Sequence, residues 1–318
     1  AVFITHSMTN KNLFADKPRM VSFLKGQTKV TGKFWLVNLL KFEKGGVENY
    51  KEYARQLEPL MKRVGARPIL SSWTVRTVVD GGGALPEWDG IFIGEYPNPQ
   101  SLIEMNNFAE YKEAHVFREK ALVDTHLYAI PPQWFSASTP VNDQGSVSLE
   151  GIPTKSKEQK EAINGRPAMG MQFFADERFG KGAIFMLNLL KYEPGNGKAL
   201  YGVYARKATK KIGAMSHSKG GGATSGLKLL VDKVVCLKGT DFDSMAVMQY
   251  PSRQAFMAYA AANSTKAVKA ANSGGGTAMA TAFRYREAGL KTQGLVCFTP
   301  SEVFDHAFHS APLTASKL

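Results

Sequence analysis

The chain is poor in cysteine. Cys236 and Cys297 are the only two among 318 residues. Neither belongs to a Cys-x-x-Cys pair, which argues against a cysteine-held zinc site. Cys236 stands in an apolar run and reads as a core thiol rather than a nucleophile. A disulfide between the two stays open at this level. No apolar run reaches 18 residues, so no segment reads as a transmembrane helix. The spacing Gly-x-x-x-x-Gly-Lys-Ser/Thr is also missing, so Lys219-Gly-Gly-Gly222 reads as a flexible loop and not a P-loop. Aromatic- and arginine-rich nucleic-acid motifs are missing, which argues against nucleic acid as a partner. The chain begins at Ala1 without Met and reads as a trimmed chain or a processed organellar or secreted mature form.

Acidic residues are scarce in the second half. Residues 1–150 hold 17 Lys and Arg against 16 Asp and Glu, whereas residues 151–318 hold 23 against 11. The second half therefore carries nearly all of the net charge of +13. A basic domain suits an acidic protein partner, an anionic surface or an anionic ligand. Arg206, Lys207, Lys210 and Lys211 cluster on one face of a predicted helix. They read as a solvated face or an interaction surface.

What is present is a repeat. Phe34-Trp-Leu-Val-Asn-Leu-Leu-Lys-Phe42 returns as Ile184-Phe-Met-Leu-Asn-Leu-Leu-Lys-Tyr192. Each copy is followed by Tyr-x-x-Tyr-Ala-Arg, at Tyr50 to Arg55 and at Tyr201 to Arg206. Glu95-Tyr96-Pro97 is answered by Gln249-Tyr250-Pro251, and Phe14-Ala-Asp-Lys17 resembles Phe174-Ala-Asp-Glu177. The period is too long for a solenoid and implies a duplicated domain, an intramolecular dimer.

Residues 34–42 read as a strand apolar on both faces. Val47, Tyr50, Tyr53, Ala54, Leu57, Leu60, Met61 and Val64 form one helical stripe. Strands follow at Ile69 to Val79 and Gly90 to Tyr96. Helical pieces follow Pro97-Asn-Pro99 and cover 108–121, and Thr125 to Ile130 closes the copy. The order β-α-β-β-α-β predicts a ferredoxin-like unit. In the second copy, strands are expected near 183–191, 226–238, 243–250 and 277–286, with helices near 198–212 and 252–272. The predicted organisation is an N-terminal extension (1–33), repeat 1 (34–135), linker and lead-in (136–181), basic repeat 2 (182–288) and a tail (289–318).

Val37-Asn-Leu-Leu-Lys-Phe42 with Gly45 to Arg55, and Tyr96-Pro-Asn-Pro-Gln-Ser-Leu102 through Tyr111, His115, Arg118 and Ala121 to Asp124, resemble the DUF1330 family. That family lies within the dimeric α+β barrel superfamily. The match covers residues 34–133 and, more loosely, 183–287. The resemblance implies an α+β fold in which two ferredoxin-like repeats pack sheet to sheet as one barrel. The superfamily includes cofactor-free monooxygenases, isomerases, haem enzymes and plain ligand binders.

The candidate residues follow from these elements. Asn38 and Asn188 are amides in apolar strands and must find hydrogen-bond partners. They are expected either to orient a ligand in the barrel or to tie down a loop. Lys41 and Lys191 recur at strand ends and are expected to pair with acids. His115 and Arg118 share one helical face and suit acid–base work or anion binding. Lys269 and Asn272 are read as their counterparts, so the pair would be lost from the second copy. Tyr53, Trp73, Arg76 and Glu95 complete the candidate cavity lining. No metal site is assigned, although Asp305, His306 and His309 are closely spaced in the tail. No cofactor is assigned. Haem is the minor alternative, with His115 and His126 as the ligands within predicted elements. The expected function is an enzyme or binder for a small hydrophobic, oxygenated ligand, of cofactor-independent monooxygenase or isomerase type. The rival expectation is a non-catalytic accessory subunit that docks an acidic partner through the basic second repeat.

Overall fold

The computed structural model describes residues 13, 15–132, 147–180, 182–217, 226–261 and 278–303. In repeat 1, β1 (Phe34–Phe42) leads into α2 (Gly46–Arg63), after a short α1 (Lys17–Leu24). Strands β2 (Arg67–Ser72), β3 (Thr74–Asp80) and β4 (Gly90–Tyr96) follow, then α3 (Pro99–Asn107), α4 (Ala109–Ala121) and β5 (Leu122–Ile130). The lead-in to repeat 2 carries α5 (Lys157–Asn164) and α6 (Pro167–Ala175). Next come β6 (Ile184–Tyr192), α7 (Gly197–His217), β7 (Gly226–Val231), β8 (Val235–Lys238), β9 (Ser244–Tyr250), α8 (Arg253–Ala261), α9 (Ala278–Gly289), β10 (Leu290–Thr299) and β11 (Glu302–Val303). No helix among the described residues is long and apolar enough to cross a membrane.

Two antiparallel sheets result. The first runs β11-β2-β4-β1-β5-β8 and the second β3-β10-β6-β9-β7. Each is a ferredoxin-like sheet extended by strands from the other half of the chain, β11 and β8 in the first sheet and β3 in the second. The expected single strand from Ile69 to Val79 breaks at Trp73, which is a bend between β2 and β3. β2 stays in its own sheet, and β3 crosses to pair with β10, Arg76 lying opposite Cys297. β8 returns the exchange by pairing with β5, Cys236 lying opposite Tyr128. The sheets therefore pack face to face as one intramolecular barrel.

The alternation of side chains along β1 shows why the strand is apolar on both faces. Trp35, Val37 and Leu39 enter the core between the sheets, with Phe185, Leu187 and Leu189 from β6. Phe34, Leu40 and Phe42 turn the other way, toward α2 and α4. The inter-sheet core is filled by side chains, including Trp88, Tyr128, Phe242 and Phe298.

The second copy departs from the expected elements at its end. Residues 278–289 are helix, not strand, and the closing strand is β10, at Leu290–Thr299. β10 lies inside the stretch expected to be tail and pairs with both β3 and β6. The lead-ins also correspond differently from the expected Phe14–Lys17 match. Phe23 of α1 and Phe173 of α6 are both fully buried, whereas Phe174 is 53% exposed. The repeat is therefore in phase at Phe23 and Phe173, the same phase as β1 and β6. Phe14 lies outside the described residues.

Lys41 pairs with Asp89 at 3.0 Å and Lys191 with Asp243 at 2.9 Å. Each aspartate also accepts the backbone N–H of the next residue, Phe42 or Tyr192. The recurring lysines thus do the pairing expected of them.

Candidate functional site

Repeat 1 gathers most of its polar aromatic chemistry on the helix-facing side of its sheet. α2 supplies Tyr50 and Tyr53, β4 supplies Tyr96, and α4 supplies Tyr111, His115 and Arg118. Tyr50, Tyr53, Tyr96, His115 and Arg118 are all buried. Ring centroids lie 5.4 Å apart for Tyr50 and Tyr53, 6.4 Å for Tyr53 and His115, and 5.7 Å for Tyr111 and His115. The helical spacing of Tyr111, His115 and Arg118 puts all three on one face.

Gly46 lets this layer close. A Cβ at Gly46 would lie 2.2 Å from the Ala121 carbonyl oxygen, so only glycine lets α2 start against the end of α4. Gly197 plays the same part in repeat 2, where the contact is the Gly289 carbonyl.

Burial sets the protonation states. The His115 imidazole is pulled down to about 3, first by loss of water and then by the Arg118 charge. The Glu119 carboxylate, 4.0 Å away, favours the charged ring, but burial wins. His115 is therefore neutral across the physiological range. Burial pushes Tyr50, Tyr53 and Tyr96 up, while Arg118 acts in the opposite sense on each. They remain neutral phenols.

Asn38 belongs to the same side of the sheet, because its neighbours Val37 and Leu39 take the inter-sheet side. It does not point into the barrel, as one expectation had it. Its Nδ2 donates to the carbonyls of Leu36 at 3.2 Å and Phe92 at 3.3 Å. Trp73, at the bend, packs on Tyr50 at 5.7 Å and borders this layer. Asn188 occupies the equivalent place in repeat 2 and donates to Met186 and Ala246.

Arg76 and Glu95 lie elsewhere. Arg76 crosses with β3 to the second sheet, where it pairs with Asp176 at 2.8 Å. Glu95 faces the inter-sheet side and accepts from Trp35 Nε1 at 3.0 Å and Arg67 at 3.1 Å. Burial would raise its carboxyl, but these hydrogen bonds and the nearby cations hold it below its usual range. The expected residues therefore do not line one cavity.

The second repeat keeps a counterpart of Arg118 but none of His115, so the pair is lost there as expected, at residues other than Lys269 and Asn272. Both α4 and α9 run directly into a closing strand. That junction aligns Ala114-His-Val-Phe-Arg118-Glu-Lys-Ala-Leu122 with Ala282-Phe-Arg-Tyr-Arg286-Glu-Ala-Gly-Leu290. Arg286 is the equivalent of Arg118, and Phe283 stands in the place of His115. Lys269 and Asn272 lie outside the described residues. This second, shorter repeat is the signal that sequence reasoning missed. The two arginines also make a shared contact. Arg118 Nη1 donates to the Leu13 carbonyl at 2.7 Å, and Arg286 Nη2 donates to that of Ile163 at 2.9 Å. Each arginine anchors the lead-in of its own repeat.

His126 sits on the inter-sheet side of β5. Its ring lies 4.7 Å from that of Trp88, and its Nδ1 is 3.2 Å from the Tyr128 hydroxyl. Burial lowers it to about 4. Cys236 and Cys297 are both free and buried. No cluster of metal-ligating side chains occurs among the described residues. Asp305, His306 and His309 lie outside them. An open cleft of about 640 Å³ runs past Gly81–Gly83, Glu158, Glu161, Glu193 and Lys291. It carries four acidic residues against two basic ones, and it lies apart from the tyrosine cluster.

No family model matches the chain, and no curated protein matches it. Solved structures do. A protein of unknown function from Rhodopseudomonas palustris, RPA0582, is 22% identical, with a TM-score of 0.31 over 38% of this chain and 98% of that one. An anthrone oxidase-like protein is 11% identical, with a TM-score of 0.43 over 86% of this chain and 94% of that one. A mutant chlorite dismutase from Candidatus Nitrospira defluvii is 11% identical, with a TM-score of 0.38 over 90% of this chain and 96% of that one.

Proposed function

We propose that the protein is a small-molecule enzyme whose site is the tyrosine, histidine and arginine cluster of repeat 1. The substrate class is a hydrophobic compound bearing a carbonyl group. The observation that supports this most is the pair of His115 and Arg118, both buried, one kept neutral and the other charged. A neutral imidazole beside a fixed cation, among phenols, suits removal of a proton next to a carbonyl. The DUF1330 resemblance of residues 34–133 supports the same region.

The chemistry divides as follows. The carbonyl oxygen lies toward Arg118. The His115 ring nitrogen takes a proton from the adjacent carbon, and the C–H electron pair moves into the carbonyl oxygen as an enolate. Arg118 holds the developing negative charge. That charge also raises His115 toward its ordinary range, so the ring becomes a better base as the proton moves. Where the carbonyl is conjugated to a double bond, return of the proton to the γ carbon of the dienolate gives isomerisation. Transfer of electrons from the enolate to dioxygen gives cofactor-free oxidation.

The probe is anthrone, a hydrophobic ketone with an acidic C–H, followed by absorbance and dioxygen uptake. The wild-type protein should consume it, and His115→Phe should do so at least about a hundredfold more slowly, the range of general-base catalysis. Equal rates in the two proteins would overturn the assignment. The rival role, docking of an acidic partner, rests on the charge of repeat 2. Of its four basic residues, the side chains of Lys210 and Lys211 lie outside the described residues.

A further inference from the structure

The two repeats differ at one more position in this layer. Thr125 of β5 lies opposite Leu40, and Gln293 of β10 lies opposite Leu190. They are equivalent positions on equivalent strands, and both side chains are buried. Gln293 uses its whole carboxamide. Its Oε1 accepts from Arg286 Nε at 3.1 Å and from Nη2. Its Nε2 donates to Asn188 Oδ1 at 2.7 Å. The amide thus bridges the buried arginine and the strand asparagine.

Repeat 1 keeps both ends of this bridge and lacks the middle. Arg118 and Asn38 are present, but Thr125 is too short to join them and donates instead to the Leu39 carbonyl at 2.8 Å. Among the described residues, the Arg118 side chain makes one hydrogen bond, to Leu13. Asn38 spends its N–H groups on Leu36 and Phe92, so its Oδ1 is left as an acceptor. Both residues are largely buried, and the remaining Arg118 N–H groups and the Asn38 oxygen have donor and acceptor capacity to spare for a ligand.

We infer that Gln293 is a built-in stand-in for the ligand, and that the repeat 1 site takes a planar carbonyl group bearing its own adjacent N–H or O–H donor, the carboxamide class. The carbonyl oxygen accepts from Arg118, and the donor reaches Asn38 Oδ1. The inference rests on the proposed site and adds the recognition chemistry. It also explains the asymmetry: the second repeat is closed by its own side chain.

The experiment is calorimetric titration of the full chain with benzamide and with acetophenone, which has the carbonyl but no donor. Wild type should bind one benzamide per chain, at least tenfold tighter than acetophenone. Thr125→Gln should abolish benzamide binding with an unchanged or higher melting temperature. Gln293→Thr, which opens the second site, should raise the stoichiometry to two. Should Thr125→Gln fail to fold, Gln293→Thr alone decides. Equal affinity for the two probes, with both lost in Thr125→Gln, would overturn the donor requirement and leave the site standing. Binding unaffected by Thr125→Gln would overturn the site itself, and no binding of either probe would overturn the inference.

Discussion

Replacing His115 by Phe makes the first repeat resemble the second, where Phe283 already stands. The perturbation isolates one proton. His115 is 2% exposed, and in the folded chain its ring titrates at about 3. In the unfolded chain it titrates at about 6.5. Below about 6.5 the unfolded state takes up a proton that the folded state refuses. The stability this group contributes is therefore whole above that pH and is lost as pH falls toward 3. Between pH 7 and pH 5 the loss comes to about 2 kcal/mol. His126, lowered to about 4, adds a comparable loss in both proteins. Urea unfolding of wild type and His115→Phe at the two pH values gives the difference directly. The variant should lose about 2 kcal/mol less than wild type on acidification. Using the difference of differences removes whatever the phenyl ring gains or costs in packing. Identical pH dependence in the two proteins would mean that His115 is not buried in its neutral form, and the proposed base would go with it.

Two further outcomes test the frame around the site. Gly46→Ala, which in an ordinary helix gains about 1 kcal/mol, should instead cost about 1–3 kcal/mol through overpacking against the Ala121 carbonyl; a rise in melting temperature would refute the close approach of α2 to α4. Asp89→Ala should cost about 1–2 kcal/mol in chemical denaturation, because it strips the Phe42 N–H as well as Lys41. Lys41→Met should cost less than about 1 kcal/mol, since the ion pair is only half-buried, and equal losses would contradict the role given to the backbone contact.

Much of the fold is legible where a pattern occurs twice. β1 and β6 share Asn-Leu-Leu-Lys in an otherwise apolar run, and the stripe from Tyr50 to Met61 reads as a helix. The strand exchange is not legible in the same way. Thr74 to Asp80 has the same β-forming character whichever sheet it joins, and only the bend at Trp73 sends it across. α9 was concealed by a change of phase. Tyr96 and Tyr250 are 154 residues apart, whereas Arg118 and Arg286 are 168 apart. A phase carried over from Tyr250 assigns the wrong residues to His115 and Arg118. The pairing of His115 with Arg118 was readable from helical spacing. The side taken by Asn38 was not, because a strand apolar on both faces has no polar side to orient it. Gln293 could be recognised only once β10 was placed beside β6.

In an assembly of two identical chains, every substitution is made twice. A side chain that plugs one site would plug its symmetry mate, and a histidine kept for one would be kept for both. The crossing of β3 and β8 holds the two halves of this protein as closely as such a pair, yet each half is written separately. Phe283 and Gln293 can therefore fill one half while His115 and Thr125 keep the proposed site in the other. The filled half is then free to serve as a wall, its arginine and asparagine already satisfied, against which the one proposed site is held in shape.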